Sequence, residues 1–269
     1  MPYKFPSLQA VKLKYSDEVP TPDDFPIFPS DYVYKQLNTL EAIVRGAHLT
    51  NLTSLAIIDL IALPPDFQRS ESFAHSLSKL TKLEIVFCAA IPGSYESAEM
   101  SYHSLFPKED GLRRYCGNSD VPWAIKTLTL ENEDEQSNLV PLDFSTLEFT
   151  HLSSLTLRGL SFRLSNVQLM FILRHAATLR TLVLVDCTTL TDEWSVIWER
   201  LANELTQLVD LSVQYYMDTE TNYSVYGMEM GDMITSVELM EDEPETVEED
   251  RRAFEGFVQI VDDRRSRQA

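Results

Sequence analysis

A nine-residue phrase recurs along this chain and constrains its fold more than any other feature. It reads LTSLAIIDL from Leu52, LTKLEIVFC from Leu80, LSSLTLRGL from Leu152, LRTLVLVDC from Leu179 and LVDLSVQYY from Leu208. Each copy places an apolar residue at its first, fourth and sixth positions, with Leu60, Cys88, Leu160, Cys187 and Tyr216 at the ninth. Looser copies begin at Leu8, Ile125 and Ile234, giving about eight units. Successive first positions from Leu52 onward are 28, 45, 27, 27, 29 and 26 residues apart. The long interval after Leu80, and the 44 residues between Leu8 and Leu52, each hold one unit plus an inserted loop, because lengthening a connecting loop adds little closure entropy.

The fourth and sixth positions alternate along a strand and share one face, so Leu55 with Ile57, or Leu182 with Leu184, point the same way. One such strand cannot bury its apolar face alone, whereas stacked copies form a parallel sheet with a continuous apolar seam. Between strands the periodicity turns helical, most clearly over Asp31 to Ala47, Ser165 to Ala177 and Thr191 to Leu205. Val167, Met170, Phe171, Arg174 and His175 mark the inward stripe of the second segment. Trp194, Ile197, Trp198 and Leu201 mark that of the third, with Thr191 or Asp192 as N-cap. A period of about 20–29 residues combining strand and helix is that of leucine-rich repeats. The expected fold is therefore an α/β leucine-rich-repeat solenoid with a parallel concave sheet and outer helices, spanning residues 1–240.

Two segments break the period, near 16–30 and 89–122. The first holds four prolines between Val19 and Ser30, which excludes helix and central strand. Residues 241–269 make an acidic stretch and a closing helix. Thr246 and Glu249 form a capping-box pattern ahead of Val247, Phe254, Phe257, Val258 and Val261 on one helical face. This helix is expected to cover the last strand, since a solenoid end needs a cap. The first strand starts within ten residues of Met1, so a preceding segment is expected to be missing from the chain or supplied in trans.

Composition narrows the function. The chain carries 42 acidic against 22 basic residues, a net charge of -20, which repels phosphate backbones and anionic lipids. Neither nucleic acid nor a membrane is an expected partner, and an intracellular, cytoplasmic or nuclear location is expected. The three cysteines, Cys88, Cys116 and Cys187, fit neither a disulfide framework nor a zinc motif. The phosphate-loop, metalloprotease and serine-nucleophile templates have no match, and His48, His151 and His175 sit just ahead of units, a structural spacing. Neither a cofactor nor a catalytic group is expected.

The phrases LTSLAIIDL, LSSLTLRGL and LRTLVLVDC at 26–29-residue spacing, with the proline-rich insertion before Asp31, resemble the leucine-rich-repeat region of fungal F-box proteins. That resemblance implies a non-enzymatic protein-protein interaction module that recognises substrates for a ubiquitin ligase. No LP-x-E-type F-box segment precedes Leu8 or occurs elsewhere, so a ligase adaptor is an expected partner only if an F-box is supplied upstream.

The third, fifth and seventh positions alternate away from the seam, and the fifth and seventh give the candidate site. Ile58, Val86, Val183 and Val185 are expected to form apolar patches, with Glu84, Glu131, Arg158 and Gln214 around them, that anchor a protein partner. The acidic run from Glu238 to Asp250 suggests a basic partner. The alternative is a leucine-rich-repeat GTPase regulator, or an enzyme with carboxylate chemistry on the concave face, using an arginine such as Arg158.

Overall fold

The computed structural model describes residues 8–15, 39, 51–60, 78–87, 123–132, 148–160, 162, 167–187, 189, 194–214, 223–225, 239–241 and 244–268. Seven strands form one sheet: β1 (Ala10–Lys14), β2 (Ser54–Leu60), β3 (Lys82–Phe87), β4 (Thr127–Asn132), β5 (Ser154–Arg158), β6 (Thr181–Val185) and β7 (Asp210–Gln214). They lie side by side in chain order, and every pairing is parallel. The architecture is thus α/β around an all-parallel sheet.

The register follows the sequence phrase. Fourth positions align as Val11, Leu55, Leu83, Leu128, Leu155, Leu182 and Leu211, and sixth positions as Leu13, Ile57, Ile85, Leu130, Leu157, Leu184 and Val213. The inner members of both rows are buried, and those on the outer strands β1 and β7 are half-buried. A backbone device repeats with them. The carbonyl of each second-position residue accepts the amides of the second and third positions in the next unit: Gln9 from Thr53 and Ser54, Thr53 from Thr81 and Lys82, and so on to Arg180 from Val209 and Asp210. Hydroxyls reinforce it, with Thr53, Thr81 and Ser153 Oγ donating to the same carbonyls at 3.1–3.3 Å. One carbonyl with two lone pairs thereby sets both the join between units and the start of each strand.

The eighth position carries a second recurrent feature. Asp59, Gly159 and Asp186 all have left-handed backbone, with φ of 59°, 61° and 50°, a region open to Gly and reached by Asp at modest cost. The chain turns there, so the following Leu160 and Cys187 drop back into the core.

Three helices, α1 (Val167–Arg174), α2 (Trp194–Glu204) and α3 (Pro244–Gln268), share one core with the apolar rows. They therefore cover the face that carries the fourth and sixth positions. In α2 the expected face holds: Ile197, Trp198 and Leu201 are buried and Trp194 packs against them. In α1 the stripe is rotated. Leu169, Phe171, Ile172 and Leu173 face inward, while Met170 is 44% exposed and Arg174 is exposed. With Phe171 and His175 fixed inward, Met170 falls on the solvent side of a helix this short.

The C-terminal helix packs on α2 through Phe257 and Val261, with Phe254 and Ala253 partly buried beside them. Trp198 meets Phe254 and Phe257 at ring-centroid distances of 5.3 and 6.2 Å. The helix starts at Pro244, so Thr246 stands inside its first turn rather than ahead of it, and proline takes the first-turn place it favours. α3 also runs parallel to α2 and serves both its ends. Asp250 Oδ1 accepts the Ser195 amide at the start of α2, and the Arg264 guanidinium donates to the Leu205 and Ala202 carbonyls at 2.8 and 2.9 Å. An anion at the positive end and a cation at the negative end complement the helix dipole.

Among the described residues the eighth unit adds no strand to the seven-stranded sheet. Its segment forms β9 (Leu239–Glu241), which pairs antiparallel with β8 (Tyr223–Val225) in a separate two-stranded ribbon. The insertions near 16–30 and 89–122, Cys88, Cys116, His48, the N-cap at Thr191 or Asp192, and the helix over Asp31 to Ala47 apart from Thr39 lie outside the described residues. Among the described residues no helix is long and apolar enough to cross a membrane.

Candidate functional site

The face of the sheet opposite the helices is built by the third, fifth and seventh positions. Across neighbouring strands the fifth positions align as Lys12, Ala56, Glu84, Thr129, Thr156, Val183 and Ser212. The third positions align as Ala10, Ser54, Lys82, Thr127, Ser154, Thr181 and Asp210. From β4 to β6 these two rows present Thr127, Thr129, Ser154, Thr156, Thr181 and Val183, all half-buried and therefore reachable. The central floor is small, branched and rich in hydroxyls, which suits both strand formation and hydrogen bonding to a partner.

The candidate residues divide. Val183 and Val185 are half-buried, Gln214 is exposed, and Glu84 is half-buried. Ile58 and Val86, expected on an exposed apolar patch, retain only 8% and 4% of their surface. Both sit on the outward alternation of their strands, yet both are buried. They belong to the buried set and are not an open anchor.

Glu131 and Arg158 come together, and with a third residue outside the original set. Arg158 Nη1 lies 2.9 Å from Glu131 Oε1, and its Nε lies 3.5 Å from Asp186 Oδ2. One guanidinium thus ties three adjacent units at the trailing edge of β4, β5 and β6. Lys14 and Asp59 repeat the second half of this contact at 3.7 Å. In both cases a seventh-position cation meets the eighth-position aspartate of the next unit. Because Asp59 and Asp186 are also the left-handed residues, the turn aims each carboxylate back toward the preceding strand.

His175 has a structural role. It is 3% exposed, its Nε2 accepts the Phe149 amide at 3.0 Å, and its Nδ1 lies 2.8 Å from the Phe171 carbonyl. The carbonyl accepts only, so Nδ1 carries the proton and the ring is neutral. Burial, together with the nearby Arg174 charge, holds its pKa below the usual 6.5 against the Phe171 hydrogen bond. The ring also meets Phe171 edge-on at 4.7 Å and stacks with Phe149 at 6.0 Å. Cys187 is likewise inert: burial pushes its thiol up to about 12. Among the described residues no group of His, Cys, Asp and Glu side chains is arranged to hold a metal ion.

The third-position row, the Asp186 contact and the placement of Lys79, Lys82 and Lys126 at the leading edge are absent from the candidate set read from the phrase. The row had a signal, since it alternates with the buried fourth position. The lysines had none, because they come from separate units. Comparison with protein-family models, curated proteins and solved structures finds no match to this chain.

Proposed function

We propose that the chain is a leucine-rich-repeat interaction module whose open sheet face binds a protein partner, in the manner of the substrate-recognition part of an F-box-type ubiquitin-ligase subunit. The observation that carries this reading is the aligned set of accessible rows across seven parallel strands. At strand spacings of about 4.8 Å the face extends about 29 Å, the breadth of a small domain rather than of a metabolite. The contact falls to Thr129, Thr156, Val183, Val185 and Gln214, framed by Glu131 and Arg158, while Ile58 and Val86 are buried and take no part. The arginine-based alternative is less favoured, because Arg158 already engages two carboxylates.

The test is affinity capture from a cell extract with the tagged chain and with the T129R/T156R variant, read by mass spectrometry. Proteins captured by the wild type and lost by the variant at an unchanged melting temperature support the reading. An identical captured set overturns it. Where an F-box is supplied upstream, a ligase adaptor joins the captured set.

A further inference from the structure

Acidic residues outnumber basic ones by almost two to one in this chain, and six of the described cations sit against a carboxylate. Lys14, Arg158, Arg200, Arg251, Arg252 and Arg265 all do so. Lys79, Lys82 and Lys126 are exposed and form no ion pair among the described residues. Lys12 on β1 is exposed and unpaired as well, but Lys79, Lys82 and Lys126 fall in adjacent units at the start of neighbouring strands.

Their placement is set by the carbonyl ladder. Lys79 directly precedes the first position of its unit, Lys82 opens β3, and Lys126 immediately precedes β4. The Lys126 amide bonds the Thr81 carbonyl at 2.8 Å and the Ala124 amide bonds Ser78 at 3.2 Å, so the two units start side by side. Farther along the same leading edge Arg180 precedes β6 and reaches only the neutral Gln268 amide, at 3.3 Å. Of the described acids near this edge, Asp210 is held by Arg265 at 3.1 Å, Glu148 is exposed, and Glu84 is half-buried two residues along β3 from Lys82. The trailing edge differs: its Lys14 and Arg158 are neutralised by Asp59, Glu131 and Asp186.

We infer that this leading edge from β3 to β6 docks an acidic polypeptide segment of the partner, with Lys79, Lys82, Lys126 and Arg180 as its charge contacts. The inference rests on the interaction-module reading and names the chemistry of what is bound. Three strand spacings separate Lys82 from Arg180, about 14 Å, which about four residues of extended chain cover. A glutamate at alternate residues of such a segment meets a cation at each end, with Thr127, Ser154 and Thr181 alongside. The net negative charge of the chain repels an acidic segment overall, and the cations of this edge offset that repulsion locally. The partner charge is opposite in sign to the one that the Glu238 to Asp250 run suggests.

The experiment is fluorescence anisotropy of a fluorescein-labelled short polyglutamate peptide titrated with the full chain, using wild type, K82E, K126E and K12E. Each substitution changes the net charge equally, and Lys12 is another exposed, unpaired lysine, on β1. Saturable binding that weakens about fivefold or more in K82E and K126E but less than about twofold in K12E is the expected result. Circular-dichroism melts that overlay the wild type show that the fold is kept. Absence of saturable binding by the wild type, or equal weakening in K12E, overturns the inference. The two readings fail separately. Loss of captured proteins in T129R/T156R without polyglutamate binding leaves the module and removes the acidic segment. Binding that maps to the leading edge while T129R/T156R captures the normal set does the reverse.

Discussion

His175 offers the sharpest quantitative test of the core. Replacing it with Phe preserves most of the ring packing against Phe149 and Phe171 but removes the acceptor for the Phe149 amide, which is then buried and unpaired. An unsatisfied buried donor costs about 1–3 kcal/mol, so His175→Phe should lose about 2 kcal/mol. His175→Leu should lose a further ~0.5–1.5 kcal/mol with the aromatic contacts. The pH dependence has a definite sign. The folded pKa lies below the unfolded value of 6.5, so at acid pH the unfolded chain binds the proton that the folded chain refuses. This contribution to stability is fully present above about pH 6.5 and is lost as pH falls below it toward the folded value, at up to about 1.4 kcal/mol per pH unit. Urea unfolding followed by fluorescence of Trp123, Trp194 and Trp198 at about pH 8 and about pH 5.5 reads both effects. The wild type should weaken more than His175→Phe on acidification. Parallel losses in the two proteins, or a substitution cost under about 0.5 kcal/mol, would refute the neutral-ring bracket.

Further outcomes follow from the helices, turns and charges. Phe257→Ala removes a fully buried ring between α3 and α2 and should cost about 3–5 kcal/mol in chemical denaturation. Gly159→Ala places a Cβ on left-handed backbone and should cost about 1–2 kcal/mol, whereas Asp186→Gly should relieve the backbone while breaking an exposed ion pair and stay within about 1 kcal/mol. Arg158→Ala should likewise change stability by less than about 1 kcal/mol, because its side chain is 49% exposed. Cys187, with a thiol pushed up to about 12, should resist iodoacetamide at neutral pH in the folded protein and react on unfolding, as peptide mapping by mass spectrometry reads directly.

The parallel sheet was legible because two rows of apolar residues at the fourth and sixth positions have no other way to be buried together. Helix α2 was legible for the same reason: its tryptophans, Ile197 and Leu201 repeat at helical spacing. Alternation predicted which way Ile58 and Val86 point, but it says nothing of what lies over them, so two buried residues were read as an anchor. The phrase from Ile234 carries the same apolar pattern as the other units, yet strand pairing depends on a partner elsewhere in the chain, and β9 pairs with β8 instead. Glu131 and Arg158 were both in the candidate set, but their contact, and Asp186 with it, required the register of three units. The partners of His175 stand 26 and 4 residues away, and no local pattern reports the more distant one. The left-handed eighth position could have been noticed, since Asp59, Gly159 and Asp186 are residue types that tolerate it.

The doubly used carbonyl at the start of each unit has a consequence for the lineage of such a chain. The attachment of one turn to the next is made by main-chain atoms, so it places few demands on which side chains stand there: Gln9, Thr53, Lys126 and Arg180 all serve. Turns can be copied, lost or given a long excursion between strands without renegotiating the joint, and stability then accrues turn by turn. The surface that faces the outside world is left to drift in composition while the ladder beneath it stays in step.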